Sequence, residues 1–370
     1  YVFSELLIWL FMQNNEFNLA FLQAKSLDKR LKEDGYRIYD LAETFLDNNY
    51  YDLAIKSYQY IIDKGPTNYY YIDAHVNLLF ALGSKEYIDL DKLDALYSNT
   101  IKKLGENNNT VLLMSNYAHF KAFYMSDLSS SEIILEKIMN MPNISKNDLA
   151  ECKLVYADVM LLSGNVWSSL LYYSQVEKEN KESPIGHEAK LRKAKISYYQ
   201  GDFNWAQSQL DVLKSSTSKL ISNDAMDLSL LISDNLNLDT TSVPMEIYAR
   251  ADLLYYQNKL EESLNTLDSI CKQYSNHELL DEVYFRKYQI YYKKGEIDKA
   301  IESLEVIISH YSHDILKDDA LFQLARIYEN KKRDIELASK YYETILLECS
   351  GSIFITESRK KYRQLRGDKL

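Results

Sequence analysis

Small and large apolar residues recur along this chain with the spacing of paired helices, and no stretch shows the strict alternation typical of strands. In each copy of the pattern, a first residue is followed twelve positions later by a small residue, and a large apolar residue comes four positions after that. The clear copies are Ala42, Ala54 and Tyr58; Ala118, Ser130 and Ile134; Ala157, Ser169 and Tyr173; Ala194, Ala206 and Leu210; Ala251, Ser263 and Leu267; and Tyr288, Ala300 and Leu304. Weaker copies are Ile8, Ala20 and Ala24, and Ala325, Ala338 and Tyr342, the last with one extra residue in the turn. The pattern predicts tandem pairs of antiparallel helices that approach each other most closely at the small residues.

The turn between the two halves of a copy recurs as well. It begins with Gly164, Gly201, Asn258 or Gly295, and an apolar residue follows two positions later. Gly and Asn tolerate the left-handed backbone conformation that ends a helix. We therefore expect one helix to end at each of these positions and the next to begin at the apolar residue.

A single hairpin cannot bury its apolar face alone, so such units are expected to stack. The pattern resembles the tetratricopeptide repeat, a unit of about 34 residues. The best matches are residues 41–66, 154–184, 191–213, 251–271 and 284–314, although most units lack the proline of the family pattern. The resemblance implies an all-α fold, a right-handed superhelical solenoid of antiparallel helix hairpins.

The pattern divides the chain into six regions. These are repeats over residues 1–68, a degenerate helical repeat over 69–110, repeats over 111–222, an extra helix and loop over 223–243, repeats over 244–350, and a C-terminal capping helix over 351–370. The extra helix is predicted over 223–236 and is expected to bend the array or to separate two sub-arrays. Pro244 suits the first turn of the helix that follows.

Composition narrows the possible partners. The chain has only 10 Gly and 4 Pro among 370 residues, which favours long helices joined by short turns. Its net charge of −11 disfavours nucleic acid as a partner, because phosphate binding needs a basic face. No apolar run approaches the ~18 residues of a membrane span, so we expect no membrane insertion within this chain. The chain begins at Tyr1, and any signal peptide or lipid anchor would lie upstream of it.

Motifs that carry chemistry are missing from the sequence. There is no GxGxxG, GxxxxGK[ST], GxSxG or HExxH, so we expect no catalysis and no cofactor. The three cysteines, Cys152, Cys271 and Cys349, are too scattered to predict a disulfide framework or a zinc site. His310 and His313 lie near Asp314, which fits either a metal site or a polar loop; we favour the loop and predict no metal. The basic residues at 359–366 fit either a solvated helix or a contact with an anionic surface.

Tyrosine is unusually abundant, with 32 residues, and many occur as doublets. Neighbouring helix residues point about 100° apart, so a doublet rarely buries both rings in one core. The family resemblance implies that the first helix of each unit lines a concave groove. Transferred to this sequence, it predicts a partner-binding stripe of Leu191, Tyr198, Tyr199, Tyr248, Tyr255, Tyr256, Phe285, Tyr292 and Phe322. The alternative is that these residues fill gaps between neighbouring repeats.

Three functions are consistent with these features. The leading hypothesis is a non-catalytic scaffold that binds another protein or a peptide in the groove. The alternatives are an accessory or regulatory region of a larger enzyme or sensor, and a structural spacer. Residues 311–328 also resemble repeat junctions of bacterial cell-envelope tetratricopeptide proteins, which implies a role in outer-membrane assembly, secretion or wall coordination and a location in the cell envelope or periplasm. The sequence does not distinguish this location from the cytoplasm or indicate the oligomeric state.

Overall fold

The computed structural model describes residues 2–85, 88–216, 218–236, 241–311 and 315–368. The chain is 79% helical, and the residues so described contain no strand, which confirms the prediction of an all-helical fold. Each helix packs mainly against its neighbours in sequence, as expected of tandem hairpins. The predicted loop residues Asp239 and Thr240, and His313 and Asp314 of the possible metal site, lie outside the described residues.

Twenty α-helices are found in the described ranges. The first ten are α1 (Val2–Gln13), α2 (Phe17–Leu31), α3 (Tyr36–Asp47), α4 (Tyr51–Ile62), α5 (Tyr71–Gly83), α6 (Leu90–Leu104), α7 (Val111–Phe123), α8 (Leu128–Met139), α9 (Lys146–Leu162) and α10 (Val166–Glu179). The others are α11 (Pro184–Tyr199), α12 (Phe203–Leu213), α13 (Lys219–Leu236), α14 (Val243–Tyr256), α15 (Leu260–Gln273), α16 (Leu280–Lys294), α17 (Ile297–His310), α18 (Lys317–Ile327), α19 (Ile335–Glu348) and α20 (Ile355–Leu365).

The contacts divide the chain into two compact units, Tyr1–Ala189 and Lys190–Leu370. The division falls inside α11 and not at the extra helix. Instead, α13 packs within the second unit, where the Gln207 side chain donates to the Ser229 carbonyl at 3.0 Å and the Ser222 hydroxyl donates to the Lys214 carbonyl at 2.7 Å. This helix begins at Lys219, four residues earlier than predicted. Pro244 lies in the first turn of α14, as expected.

The small residues of the repeat pattern lie where helices cross. Ala42, Ala157, Ala206, Ala251 and Ala300 have no exposed surface, in line with the predicted register. One copy was wrong by a residue: Ser131 and Leu135 are fully buried, whereas Ser130 and Ile134 are only partly buried. The reason is a longer turn, because α7 ends at Phe123 and α8 does not begin until Leu128.

The predicted turns have the expected backbone. Gly164, Gly201, Asn258 and Gly295 all have positive φ angles, between 57° and 91°. The extra residue predicted after Ala325 is accommodated differently, by a short π-helix over Tyr328–Lys332 that continues α18. An inserted residue therefore widens one helical turn, and Ala338 keeps its buried position.

The two terminal helices differ in character. Helix α20 is polar overall and packs on α19. Helix α1 has no buried residue, and its exposed side chains include Phe3, Leu6, Trp9 and Leu10. At 100° per residue, the exposed apolar positions of α1 span about 160° of its circumference. The outer face of α1 is thus apolar, whereas the face of α20 is solvated.

Candidate protein-binding surface

The predicted stripe lies in the second unit, on the first helices of consecutive hairpins. Side-chain contacts place α11, α14, α16 and α18 next to one another. The Tyr198 hydroxyl of α11 donates to Oδ2 of Asp252 in α14 at 2.9 Å, and Nε of Arg286 in α16 lies 2.7 Å from the other oxygen of Asp252. The Tyr288 hydroxyl of α16 donates to Gln323 of α18 at 3.2 Å. Residues far apart in sequence therefore share one face of this unit.

Four of the nine predicted residues belong to the core. Leu191, Tyr198, Tyr248 and Phe322 are at most 3% exposed. Burial, reinforced by the charge of Asp252, raises the pKa of Tyr198 and of Tyr248 well above the usual value for tyrosine. These four side chains fill gaps between repeats, which was the alternative interpretation of the stripe.

Phe322 is inaccessible because Phe354, the residue just before α20, covers it. The rings of Phe322 and Phe354 stack with centroids 4.3 Å apart and an interplanar angle of 12°. Tyr342 of α19 meets the Phe322 ring edge-on at 6.0 Å. The repeat spacing does not predict that Phe322 is covered, because Phe354 comes from outside the repeat unit.

The other five residues are accessible to solvent. Tyr199, Tyr255, Tyr256 and Phe285 are partly buried, and Tyr292 is 37% exposed. The rings of Tyr199 and Tyr256 are 6.5 Å apart across the α11–α14 contact. These five residues are called the tyrosine surface below. Their role in binding stays a prediction.

Cations lie over two rings of the tyrosine surface, those of Tyr255 and Tyr292. The Arg286 guanidinium is 4.9 Å and the Lys293 ammonium 5.3 Å from the centroid of Tyr255, and Lys331 is 5.8 Å from that of Tyr292. Such contacts between a cation and a ring face are attractive. Lys293, one residue after Tyr292, occupies a position that the repeat spacing turns inward, whereas the spacing does not mark Arg286 or Lys331.

A buried polar cluster joins α13 to α16 in the same unit. Glu282 of α16 accepts a hydrogen bond from the Asn235 amide of α13 at 3.3 Å, and its other carboxyl oxygen has no partner among the described residues. Burial, followed by the neighbouring Asp281, raises the pKa of Glu282 to about 9. The buried site therefore favours the neutral form of Glu282. The cluster links α13 to α16 through groups that the sequence did not single out.

Features of other chemistries are few. In the described ranges, no group of three His, Cys, Asp or Glu side chains is arranged to hold a metal ion. None of the helices found there is both long and apolar enough to cross a membrane. Cys152, Cys271 and Cys349 are free thiols, and burial raises the pKa of each.

Comparisons with known proteins find solved structures that are similar to this chain. No protein-family model matches the chain, and no curated protein matches it. Among solved structures, 83% of the chain is similar to 98% of a tetratricopeptide repeat protein from Parabacteroides merdae, at 12% identity and a TM-score of 0.37. It is also similar, over 98% of its length, to 97% of the P58(IPK) TPR domain, at 14% identity and a TM-score of 0.28. A third similar structure is the APC/C hetero-tetramer Cut9–Hcn1, with 94% of this chain and 59% of that one covered, 13% identity and a TM-score of 0.37.

At these identities, the similarity concerns the fold and transfers no partner to this chain. The assignment of tetratricopeptide-like repeats rests on the chain's own consecutive helix pairs and buried small residues.

Proposed function

We propose that this chain is a non-catalytic scaffold that binds a partner protein or peptide through the tyrosine surface of its second unit. The supporting observation is that accessible aromatic side chains come from three helices, α11, α14 and α16, which contact one another through Tyr198, Asp252 and Arg286. Tyr199 and Tyr256 contribute across one helix contact, and Tyr292 contributes from the next helix. Tyrosine combines large contact area with few rotatable bonds, and it is enriched among residues that dominate binding energy.

The buried neighbours supply rigidity. Tyr198, Asp252 and Arg286 tie three successive first helices together beneath the accessible rings. A surface held in place in this way loses little conformational entropy on binding, which favours affinity. We infer that the core residues of the predicted stripe act on binding by positioning the rings, without touching the partner.

The cations indicate the chemistry of the partner. Lys293 is exposed and lies over Tyr255, while the Arg286 charge is already paired with Asp252. A partner with aromatic or aliphatic side chains and a carboxylate near Lys293 would match this surface in shape and in charge. The exclusion of nucleic acid stays a prediction from the acidic composition.

The test is retention of a partner from a native cell extract by the purified chain, with two matched double variants. Tyr256→Ala with Tyr292→Ala removes two accessible rings. Tyr36→Ala with Tyr69→Ala is the control, because Tyr36 is also 37% exposed and also lies beneath a cation, Arg37 at 4.5 Å. Truncation of a binding hot spot typically costs about 2 kcal/mol, or about thirtyfold in affinity.

We expect the first variant to lose a partner that the wild type and the control both retain, with unchanged helix content. Equal retention by both variants would contradict binding through the tyrosine surface.

The face of α1 favours a second candidate, a helical region within a larger assembly. A contiguous exposed apolar face is a common interaction surface, and α1 presents Phe3, 86% exposed, and Trp9, 55% exposed. In sedimentation experiments, Leu6→Lys with Leu10→Lys should then reduce self-association or assembly and leave the melting temperature unchanged. An unchanged sedimentation profile would speak against this candidate.

A further inference from the structure

The first unit contains a cavity between the degenerate repeat over 69–110 and the repeats that follow it. It has a volume of about 260 Å³ and lies among α5, α6 and α7, with Val155 of α9 at one side. None of the residues of the tyrosine surface lines it. The cavity is therefore a separate feature that the proposed function leaves unexplained.

The floor of the cavity is apolar and closely packed. Leu79, Leu93, Tyr97 and Phe120 are each at most 5% exposed. The Tyr97 ring stacks on two other rings, with its centroid 5.5 Å from that of Phe120 and 5.3 Å from that of Tyr117. Because these rings support one another, the floor is a fixed aromatic surface.

The rim carries two large aromatic side chains that are unusually exposed. Phe80 of α5 is 52% exposed, and Tyr124, at the end of α7, is 55% exposed. The Tyr124 ring lies 5.7 Å from Phe120 and 6.3 Å from His119, so it continues the aromatic floor towards solvent. Rings at the mouth of an apolar cavity offer contact area to the segments that flank an inserted side chain.

The polar groups of the lining are few and mostly neutral. No Asp, Glu, Lys or Arg lines the cavity. Asn116 of α7 lines it, and within the described part of the chain its amide forms no hydrogen bond. An apolar pocket with a few polar groups that orient a ligand is the usual form of a binding site. A charged occupant would lose its hydration here without gaining a counter-charge.

We propose that this cavity binds the indole ring of a tryptophan in a partner peptide. A cavity of about 150 Å³ lined by aliphatic and aromatic residues holds a benzene molecule, so the larger volume here leaves room for a second fused ring. The indole N–H is a donor, and Asn116 supplies to the lining an amide oxygen that can accept a hydrogen bond. The partner is identified by this uncharged, bicyclic side chain, and the site lies in the other unit from the tyrosine surface.

The experiment measures binding of two probes to the full chain by ligand-detected saturation-transfer NMR. The probes are N-acetyl-tryptophanamide and a short neutral peptide with a central tryptophan; N-acetyl-lysinamide and the same peptide with alanine are the references. We expect saturation of the indole protons for both tryptophan probes, with tighter binding of the peptide because the rim contacts its flanking residues. Equal signals from the lysine or alanine references would overturn the proposal. Binding of the free amino-acid amide but not of the peptide would overturn the peptide source.

Variants locate the site. Phe80→Ala with Tyr124→Ala should raise the Kd of the tryptophan peptide about tenfold, and Asn116→Leu should also weaken binding. Tyr69→Ala is the control, since Tyr69 is 81% exposed in the same unit and does not line the cavity. If the double variant fails to fold, Phe80→Leu and Asn116→Leu provide the same comparison, and undiminished binding by both would overturn the assignment.

Tyr256→Ala with Tyr292→Ala should leave probe binding unchanged, so the two sites can fail independently. Loss of the probe signal in that variant would place the indole site elsewhere.

Discussion

Glu282 gives a prediction whose magnitude follows from its surroundings. The substitution is Glu282→Gln, which keeps the shape of the side chain and the oxygen that accepts from Asn235 but removes the titrating proton. Burial raises the pKa of Glu282 from 4.5 to about 9. The folded state therefore holds a proton that the unfolded state releases between these two pH values. Stability must consequently fall as pH rises from about 4.5 to about 9, with the contribution fully present below that window and lost above it.

The size of the effect depends on the pH at which it is measured. Each unit of pKa difference corresponds to 1.36 kcal/mol. At pH 7, keeping the carboxyl protonated costs on the order of 3 kcal/mol, because the pH lies about 2.5 units above the unfolded pKa. Glutamine carries no such cost. We expect Glu282→Gln to raise the free energy of unfolding by on the order of 3 kcal/mol at pH 7 and to change it little at pH 4.5.

The assay is urea unfolding followed by circular dichroism at a series of pH values from 4.5 to 9. Glu278→Gln is the matched control, because Glu278 precedes the same helix and is exposed; surface changes of this kind usually alter stability by less than about 0.5 kcal/mol. The reasoning is refuted if the wild type and Glu282→Gln lose stability in parallel as the pH rises. The reasoning is supported if raising the pH lowers the stability of the wild type and of Glu278→Gln by the same amount and does not lower that of Glu282→Gln.

Three further predictions concern the core. Ala206→Leu should lower stability by about 1–3 kcal/mol, because a larger side chain forces two helices apart, whereas Lys214→Ala should have little effect; equal melting temperatures would show that Ala206 is not at a crossing. Tyr198→Phe should cost about 1–3 kcal/mol in chemical unfolding, since it deprives the buried Asp252 of a donor; an unchanged free energy would contradict the hydrogen bond. Burial lowers the pKa of His75 from 6.5 to about 4, so stability should fall as pH drops through that interval, and His75→Gln should flatten the acid limb of the titration.

The sequence predicted the repeat well because small residues are restricted by contact. Ala206 and Ala251 are completely buried at helix crossings, and no larger side chain fits there without displacing a helix. Where a turn is one residue longer than the pattern assumes, the predicted buried position is wrong by one residue, as at Ser130. A one-residue insertion rotates a helix by about 100°, so spacing that counts through a turn is sensitive to the length of that turn.

The candidate surface was predictable only in part, because burial depends on neighbours outside the repeat. Tyr248 occupies a first-helix position that the family pattern turns towards a groove, yet its hydroxyl donates to the Glu282 carbonyl of the next first helix at 3.4 Å. Phe322 is covered by Phe354, which no repeat position anticipates. The cavity beside Phe80 was missed for a related reason, since residues 69–110 lack the spacing that assigns faces to helices.

The tyrosine doublets show how one residue type serves both core and surface in this fold. Three doublets each contain one tyrosine that is nearly inaccessible: Tyr173, Tyr198 or Tyr342. The other tyrosine of each pair is partly accessible. The hydroxyl of each buried member donates to a carboxylate, of Asp158, Asp252 or Glu329. A phenylalanine would fill the same space but lose the hydrogen bond to the carboxylate, and a smaller polar residue would leave a cavity. Because the next residue along the helix points about 100° away, each such anchor holds a second ring at a fixed angle near the surface. In these three doublets, packing thus explains one tyrosine, and the accessible member is the one for which binding is the question. In Tyr255–Tyr256 and Tyr291–Tyr292 neither member is buried, so packing of this kind does not explain those pairs.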